Sequence, residues 1–327
     1  MKIKQVVVAA STYGSLPRVN AFIQSVYNSS EPNIPYGMLV VDDGTPDQNA
    51  VLQRVDYCRK LNVVFSRNSE NLGIPGTWNR IFSIAQQEMG ADLVVCFNDD
   101  IRLLAPGWLS RLIFFFEQNE NVGGVGLPLV NEGGFRDNDT RWNAGAGRVG
   151  AAIGCAFAMQ PDTLFRVVNP DQSRGFWTGL RAFHEEVHAG FKLAQLGYDS
   201  FMMPWPPCHH IGGATFRSNE ELIWMQFPDG YDMGEFLRYA QGLPWYVSEY
   251  EEKYNQGIVD RMMCSRFMFA KEWGLLGGER MRTLSDGQEV DAWAEPQRIV
   301  HDMVVTPKPQ REIVWLDRAG QVKKGVL

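Results

Sequence analysis

The chain has 327 residues, enough for one large domain or two modest ones, and at 45% hydrophobic and 21% charged it has the composition of an ordinary soluble globular protein. A net charge of −7 gives no support to a broad basic nucleic-acid surface, although a local patch is compatible with it. Cys58, Cys96, Cys155, Cys208 and Cys264 are scattered and never at CxxC spacing, which argues against a zinc site or a disulfide framework and for reduced thiols in a cytoplasmic protein.

The N-terminal "QVVVAAS" (5–11) is apolar and β-branched, too short to cross a membrane, and reads as a first strand. No other apolar run is long enough to span, so no integral membrane segment is expected. "RVNAFIQSVYNS" (18–29) carries Val19, Phe22, Ile23 and Val26 at helical spacing. "YGMLVVDDG" (36–44) is a buried strand ending in two Asp, "NAVLQRVDYCRKL" (49–61) a helix and "NVVFSRN" (62–68) a short strand. "GTWNRIFSIAQQEMG" (76–90) places Trp78, Ile81, Phe82 and Ala85 on one helical face and closes on Gly90. "ADLVVCFNDD" is a fourth strand. "GWLSRLIFFFEQN" (107–119) is the next helix and "VGGVGLPLV" (122–130) the next strand.

Nearly all-apolar strands alternating with helices predict an α/β fold, a mainly parallel sheet covered on both faces. Ligands of such sheets bind outside the carboxyl ends of the strands. Ser11-Thr12-Tyr13, Asp42-Asp43 and Asn98-Asp99-Asp100 sit at those ends and are expected to converge on one crevice.

After residue 130 the pattern changes. Residues 131–150 are rich in Gly and Asn and read as loop, 151–161 as a buried strand, 179–197 as containing a helix, and "YDSFMMPW" as a strand before "PPCHHIGGATF". Helical segments dominate from about 218, and "REIVWLDRAGQVKKGVL" reads as a hairpin around 318–321. The expected division is 1–130 for the alternating strand–helix half, 131–216 for a second half of loops, short strands and a helix, and 217–327 for a helical appendage with its tail.

Asp99-Asp100 holds two like charges together at a strand end, and three readings compete. One is a solvated turn. Another is general acid–base work by a coupled pair. The third is a divalent cation, Mg²⁺ or Mn²⁺, which favours oxygen ligands, is completed by diphosphate oxygens and water, and would relieve the repulsion. The chain has neither a GxxxxGK[ST] loop nor GxGxxG after the first strand, which disfavours a P-loop NTPase and a dinucleotide oxidoreductase. A phosphate-bearing ligand held through a metal is the reading that context favours.

The motifs together resemble a known group. "VVDDG" at the second strand end, "ENLGIPGTWNRIF" before a helix, "FNDDI" at the fourth strand end, "FHEEVHAGFKLAQLGY", "HHIGGATF" and "FMFAKEWG" look like the family 2 glycosyltransferases of GT-A fold, over roughly residues 5–275. The resemblance implies a metal-dependent inverting transferase with a nucleotide-diphosphate sugar donor, a UDP-sugar before others, and Mn²⁺ or Mg²⁺ as cofactor. It implies that Thr12 and Tyr13 frame the base, that Asp43 accepts a hydrogen bond from it, and that Asp42 caps the turn or contacts ribose. Asn71, Gly73 and Asn79 match the segment that closes over the nucleotide sugar. Asp99 falls nearer the ribose or donor sugar, and Asp100 and His210 match the metal ligands. Asn98 departs from the usual Asp-x-Asp. Glu186 matches the catalytic base, with Glu in place of the usual Asp, and Glu185 is its alternative.

The chemistry is coherent on its own terms. A metal stabilises charge on a leaving diphosphate, and a carboxylate takes the proton of an attacking hydroxyl. The acceptor classes are a glycan, including lipid-linked or surface intermediates, and a modified nucleobase in DNA. The competing assignments are a nucleotide-sugar or glycan-binding protein without turnover, and a nucleotidyltransferase. For the second, "STYGSLPR" supplies only Arg18 where several basic residues are needed. Glu185 and Glu186 also suit a solvated helix start. His184 and His188 have i,i+4 spacing but no third ligand. Trp142, Trp177, Trp205 and Trp224 read first as core, with Trp177 the best acceptor-platform candidate.

Overall fold

In the computed structural model the structure describes residues 2–130 apart from 15, 147–150, 155–180, 184–204, 208–210, 235, 236, 238, 239, 243, and 256–326 apart from 307. The first half follows the predicted alternation: β1 (Val6–Thr12), α1 (Leu16–Ser29), β2 (Gly37–Asp42), α2 (Gln48–Lys60), β3 (Val64–Arg67), α3 (Gly73–Gln87), β4 (Leu93–Asn98), β5 (Ile101–Leu103), α4 (Trp108–Gln118), β6 (Val122–Gly126) and β7 (Leu129–Val130). Then come β8 (Gly147–Val149), β9 (Ala156–Met159), α5 (Pro161–Leu164), α6 (Glu185–Gln195), β10 (Asp199–Met202) and β11 (Cys208–His210). The C-terminal part holds α7 (Gln256–Glu272) and α8 (Pro296–Val304). It also holds two hairpins, β12 (Met281–Thr283) with β13 (Glu289–Asp291) and β14 (Glu312–Leu316) with β15 (Val322–Val326). The second hairpin is the one expected from the sequence.

The eight-stranded sheet runs β3-β2-β1-β4-β9-β6-β10-β8. β1 is parallel to β2 and β4, β2 to β3, and β6 to β10. β9 is inserted antiparallel between β4 and β6, and β8 runs antiparallel along the β10 edge. The sheet is therefore mixed, and the carboxyl ends of β1, β2, β4 and β6 share one edge. A small second sheet, β5-β11-β7, crosses that edge.

Both faces are covered, as the unbroken apolar strands require. On one face Val6, Val8 and Ala10 pack with Phe22 and Val26 of α1, Leu112 and Phe115 of α4, and Ile313 and Trp315 of β14. On the other, Val7 and Ala9 meet Trp78, Ile81 and Phe82 of α3, joined by Phe157, Phe176, and Ala189 and Leu193 of α6. Residues 189 and 193 are one helical turn apart, so they share a stripe. Phe191 and Ala194 lie on another stripe, packed against Phe269 and Ala270 of α7 and Ile299 and Val300 of α8. Helix α6 is thus held between the sheet and the C-terminal helices, with Lys192 bonded to Glu272 at 2.7 Å. At the far end of β10, Asp199 gathers Arg148, Lys308 and Arg311, which fastens the chain before β14 to the sheet edge.

Candidate active site

The β2 end separates the roles of its two Asp residues. Asp42 is fully buried. It accepts from the Thr45 amide at 2.8 Å and the Thr45 hydroxyl at 2.7 Å, and it is paired with the buried Arg54 guanidinium, so it caps the turn. Asp43 Oδ1 accepts from Asn68 Nδ2 and from the Leu72 amide, both at 2.8 Å. Burial raises the pKa of Asp43, and hydrogen bonds from Thr77, Asn68, Leu72 and Gly73 oppose the rise. Asn71 accepts from the Gly73 amide at 3.0 Å and so shapes the start of α3. Gly44 has φ of 75°, and a Cβ there would collide with the backbone of Glu70 and Asn71, so this loop closes tightly over the β2 end.

Asn79, expected from the sequence in the segment that closes over the nucleotide sugar, has its side-chain amide bonded to the Phe176 peptide unit. Its Nδ2 donates to the Phe176 carbonyl at 2.7 Å, and its Oδ1 accepts from the Phe176 amide at 2.8 Å. Gly175, with φ of 94°, leaves room for that amide group where a Cβ would strike Asn79 Oδ1. Helix α3 is thereby fastened to the segment leading toward the acidic pair of α6.

Thr12 joins the first two strand ends to the third. Its carbonyl accepts from the Asp43 amide at 2.9 Å, and its hydroxyl donates to Asp99 Oδ2 at 2.6 Å. Tyr13 follows it, half-buried, with its carbonyl accepting from Arg18 at 3.2 Å. The three polar clusters at the strand ends therefore do converge.

The carboxylate repulsion at Asp99-Asp100 is met within the chain itself, before any cation. Asp99 Oδ1 lies 3.4 Å from Arg18 Nε. Arg102 donates to the carbonyl oxygens of Asp99 at 2.8 Å and Ile101 at 2.6 Å, and its charge interacts with both carboxylates. Burial pushes the Asp99 carboxyl up to about 6; Arg18 and Thr12 pull it down and Asp100 adds to the rise. Asn98 lends no charge, and its Oδ1 accepts from Ser11 at 3.3 Å. The sequence reading missed Arg18 and Arg102 as partners of this turn. Arg102 had a signal, since it stands two residues after Asp100; Arg18 had none beyond its place at the start of α1.

Asp100 is oriented differently. Its Oδ2 lies 3.5 Å from His210 Nε2, while its Oδ1 is buried without a hydrogen-bond partner. The small sheet brings this about, because β11 pairs antiparallel with β5 and sets His210 opposite Ile101. Among the described residues no three His, Cys, Asp or Glu side chains form a metal-sized group. The pair nonetheless fits a divalent cation whose other ligands come from a diphosphate and water. One oxygen of Asp100 is left unsatisfied, and the oxygen–nitrogen donor set suits Mn²⁺ or Mg²⁺.

Glu185 and Glu186 begin α6, after His184 at φ of 71°. Glu185 is buried, with Oε2 unpartnered. Burial raises its pKa well above the usual range, and Glu186 adds to this. Glu186 is half-buried, and its carboxyl is also raised by burial, against pulls from its own amide and that of Val187. The Cys155 thiol is pushed up to about 12 by burial, with further contributions from Asp100 and Glu186. One residue thus senses both the Asp100 pair and the acidic pair of α6, and its carbonyl accepts from the Asn98 amide at 3.0 Å.

His188 is fully buried, with ring centroids 5.3 Å from Trp177, 6.5 Å from Phe269 and 6.1 Å from Trp273. Burial pushes its pKa down to about 3, so the imidazole is a neutral core group. Trp177 is buried in the same cluster, and a Cβ at Gly179 would touch its ring. Its core role leaves no open face for a sugar. Trp142, Trp205, Trp224 and the Gly-Gly after His210 lie outside the described residues.

The model of glycosyl transferase family 2 matches residues 7–189. No curated protein matches. Among solved structures, GalNAc-T7 with UDP, GalNAc and Mn²⁺ is similar at TM-score 0.56 and 13% identity, over 99% of this chain and 65% of that one. Staphylococcus aureus TarS 1-349 in complex with UDP-GlcNAc is similar at TM-score 0.50 and 17% identity, over 75% and 67%. The mannosyltransferase PcManGT from Pyrobaculum calidifontis, with GDP-Man and Mn²⁺, has TM-score 0.49 and 18% identity, over 84% and 72%. The ordered strand ends, the crossing small sheet and the family match over more than half of its length agree: this chain is a glycosyltransferase of GT-A fold and belongs to glycosyl transferase family 2.

Proposed function

We propose that the protein is a metal-dependent inverting glycosyltransferase that moves a sugar from a nucleotide-diphosphate donor, a UDP-sugar before others, to an acceptor hydroxyl. The observation that carries this reading is the meeting of Asp100 and His210 at 3.5 Å beside an unsatisfied Asp100 oxygen, at the strand edge where Thr12 and Asp43 also end. Residues 1–130 bind the donor. Thr12, Tyr13 and Asp43 frame the base, with Asn71 and Gly73 shaping the loop over it. Asp99 faces the sugar–nucleotide side of the turn, and Asp100 and His210 hold Mn²⁺ or Mg²⁺. A bound cation supplies Lewis-acid stabilisation of the leaving diphosphate.

Residues 131–216 hold the acceptor. Glu186 takes the proton of the attacking hydroxyl, and its upward-shifted pKa brings it toward the working pH, as suits a general base. Glu185 beside it is buried, which raises its pKa well above the usual range, and it is the alternative base. The acceptor is a hydroxyl of a glycan or of a modified nucleobase in DNA. Among the described residues no helix is long and apolar enough to cross a membrane, and the free cysteines suit a cytoplasmic setting.

The test is release of the nucleotide diphosphate from a panel of UDP-, GDP- and other nucleotide sugars, with and without Mn²⁺. Slow, Mn²⁺-dependent hydrolysis of one donor is expected. Binding of a donor without release in any condition would assign the chain to the non-catalytic binders.

A further inference from the structure

A groove of about 510 Å³, within the size range of small-molecule sites, lies between α6, α8 and the turn that joins β12 to β13. Phe191 of α6 and Leu284 of the turn form its apolar floor. Residues 186 and 191 are five apart on α6, which sets them about 140° apart around the axis and about 7.5 Å apart along it. The groove therefore opens on a different side of α6 from Glu186. Gly150 closes it from beneath: a Cβ there would stand 2.6 Å from the Phe191 ring and 2.8 Å from the His301 ring.

The walls offer donors and acceptors side by side. Gln297 and His301 are four apart on α8 and share the face that lines the groove. The half-buried Gln297 amide makes no hydrogen bond to a described residue, so its N–H and its carbonyl are both available. His301 stands 6.3 Å from Phe191, ring to ring, and burial lowers its pKa, so the neutral imidazole presents one donor and one acceptor nitrogen. Asp302 is already used, because it accepts from the amide of Ser285 at 2.9 Å and from its hydroxyl, which ties the hairpin turn to α8. Arg298 is the one Lys or Arg of the lining, and it donates to Glu295 at 3.0 Å and Gln288 at 2.6 Å. A phosphate backbone asks for donors and unmatched positive charge, and a metal cation asks for acceptors. Adjacent sugar hydroxyls each donate and accept, and the C–H face of the ring covers an apolar floor. We infer that this groove binds carbohydrate, and that it holds a glycan acceptor away from the point of transfer. Its part in catalysis rests on the transferase reading above, and it selects the glycan over a nucleobase in DNA as the acceptor class.

The full chain is tested for retention on an immobilised panel of neutral, N-acetylated, amino and acidic oligosaccharides, with duplex DNA carrying hydroxymethyl bases as the comparison. Gln297→Ala, Gln297→Trp and Glu186→Gln are treated alike. The wild type is expected to retain at least one neutral or N-acetylated oligosaccharide and not the DNA. Gln297→Ala removes a donor and an acceptor and should weaken that binding about tenfold. Gln297→Trp fills the groove and should abolish it, whereas Glu186→Gln, on the other side of α6, should leave it unchanged. With the retained oligosaccharide as acceptor, Gln297→Ala should raise KM about tenfold at unchanged kcat, since the contact is the same in ground and transition states.

Gln297→Ala carries the comparison alone if Gln297→Trp fails to fold by circular dichroism. No retained oligosaccharide at millimolar concentration overturns the inference. Equal retention by the folded Gln297 variants does so too, as does retention of the DNA that Gln297→Ala weakens. Loss of the glycan in Glu186→Gln would place it at the transfer site and likewise overturn the groove. Mn²⁺-dependent release of nucleotide diphosphate is measured on the same samples. If it persists while the groove fails, the transferase reading stands. If glycan is retained through Gln297 and no donor is turned over, the groove stands as a carbohydrate site and the acceptor role falls with the transferase reading.

Discussion

Asn79 and Phe176, 97 residues apart, are joined by two hydrogen bonds between one side-chain amide and one peptide unit. The side chain supplies both donor and acceptor, so it replaces the strand partner that Phe176 lacks. The joint connects α3, at the donor side, to the segment that leads to Glu185 and Glu186.

Asn79→Ala leaves a buried N–H and a buried carbonyl of Phe176 unsatisfied. A loss of about 3 kcal/mol of stability is expected, read by urea or thermal unfolding. UDP affinity, measured by calorimetry under conditions where the variant is folded, should change by no more than a few-fold. A large loss of UDP affinity in a folded variant would instead give Asn79 a direct part in nucleotide binding.

Asp100→Asn removes the charged member of the Asp100–His210 pair while preserving size. Mn²⁺-dependent protection by UDP in a thermal-shift assay should vanish, because a ligand stabilises only in proportion to its binding. Donor turnover should fall by about a hundredfold or more. Asn98→Ala, which touches no charge, should retain most of the Mn²⁺-dependent shift.

Glu186→Gln is expected to lower transfer by about a hundred- to ten-thousandfold while UDP binding is preserved. A base works only when ionised, and burial holds this carboxyl above its usual range. For the wild type, kcat/KM should therefore rise with pH through that raised value and level off above it. In the Gln variant the residual rate should lack this rising limb. A full rate in the variant would move the base to Glu185.

His188→Phe probes the buried imidazole. The unfolded chain takes up a proton near 6.5 and the folded chain only near 3, so stability is complete above about 6.5 and is lost as pH falls below it. The melting temperature of the wild type should drop between about pH 7 and pH 5, and the drop should be smaller in His188→Phe, which has no proton to take up at this position. Parallel melts at the two pH values make the comparison, and an equal drop in both proteins would place the acid sensitivity elsewhere.

The order of elements was legible because each carries its own periodicity. β1, β2 and β4 are unbroken apolar runs that demand cover on both faces, and Val19, Phe22, Ile23 and Val26 recur at helical spacing to provide it. The convergence of Thr12, Asp43 and Asp99 followed from the same pattern, since parallel strands deliver their carboxyl ends to one edge. Glu185 and Glu186 were legible as a pair but not as an assignment: one methylene and two adjacent acids give no local reason to choose, whereas α6 buries one and leaves the other half-open.

Sequence by itself determined the strand and helix alternation, the edge at which a ligand would sit and the acids at that edge. Tertiary structure alone decided the partners. An apolar run such as Ala156–Met159 specifies burial on both faces but not direction, and its antiparallel place between β4 and β6 comes from pairing on both sides. His210 meets Asp100 only through the three-residue register of β11 on β5, and Arg18 meets Asp99 only because α1 starts where β1 ends beside β4. Local pattern encodes which side of a segment avoids water. Which charge stands against which is set by contacts across scores of residues, where nothing in the spacing records the distance.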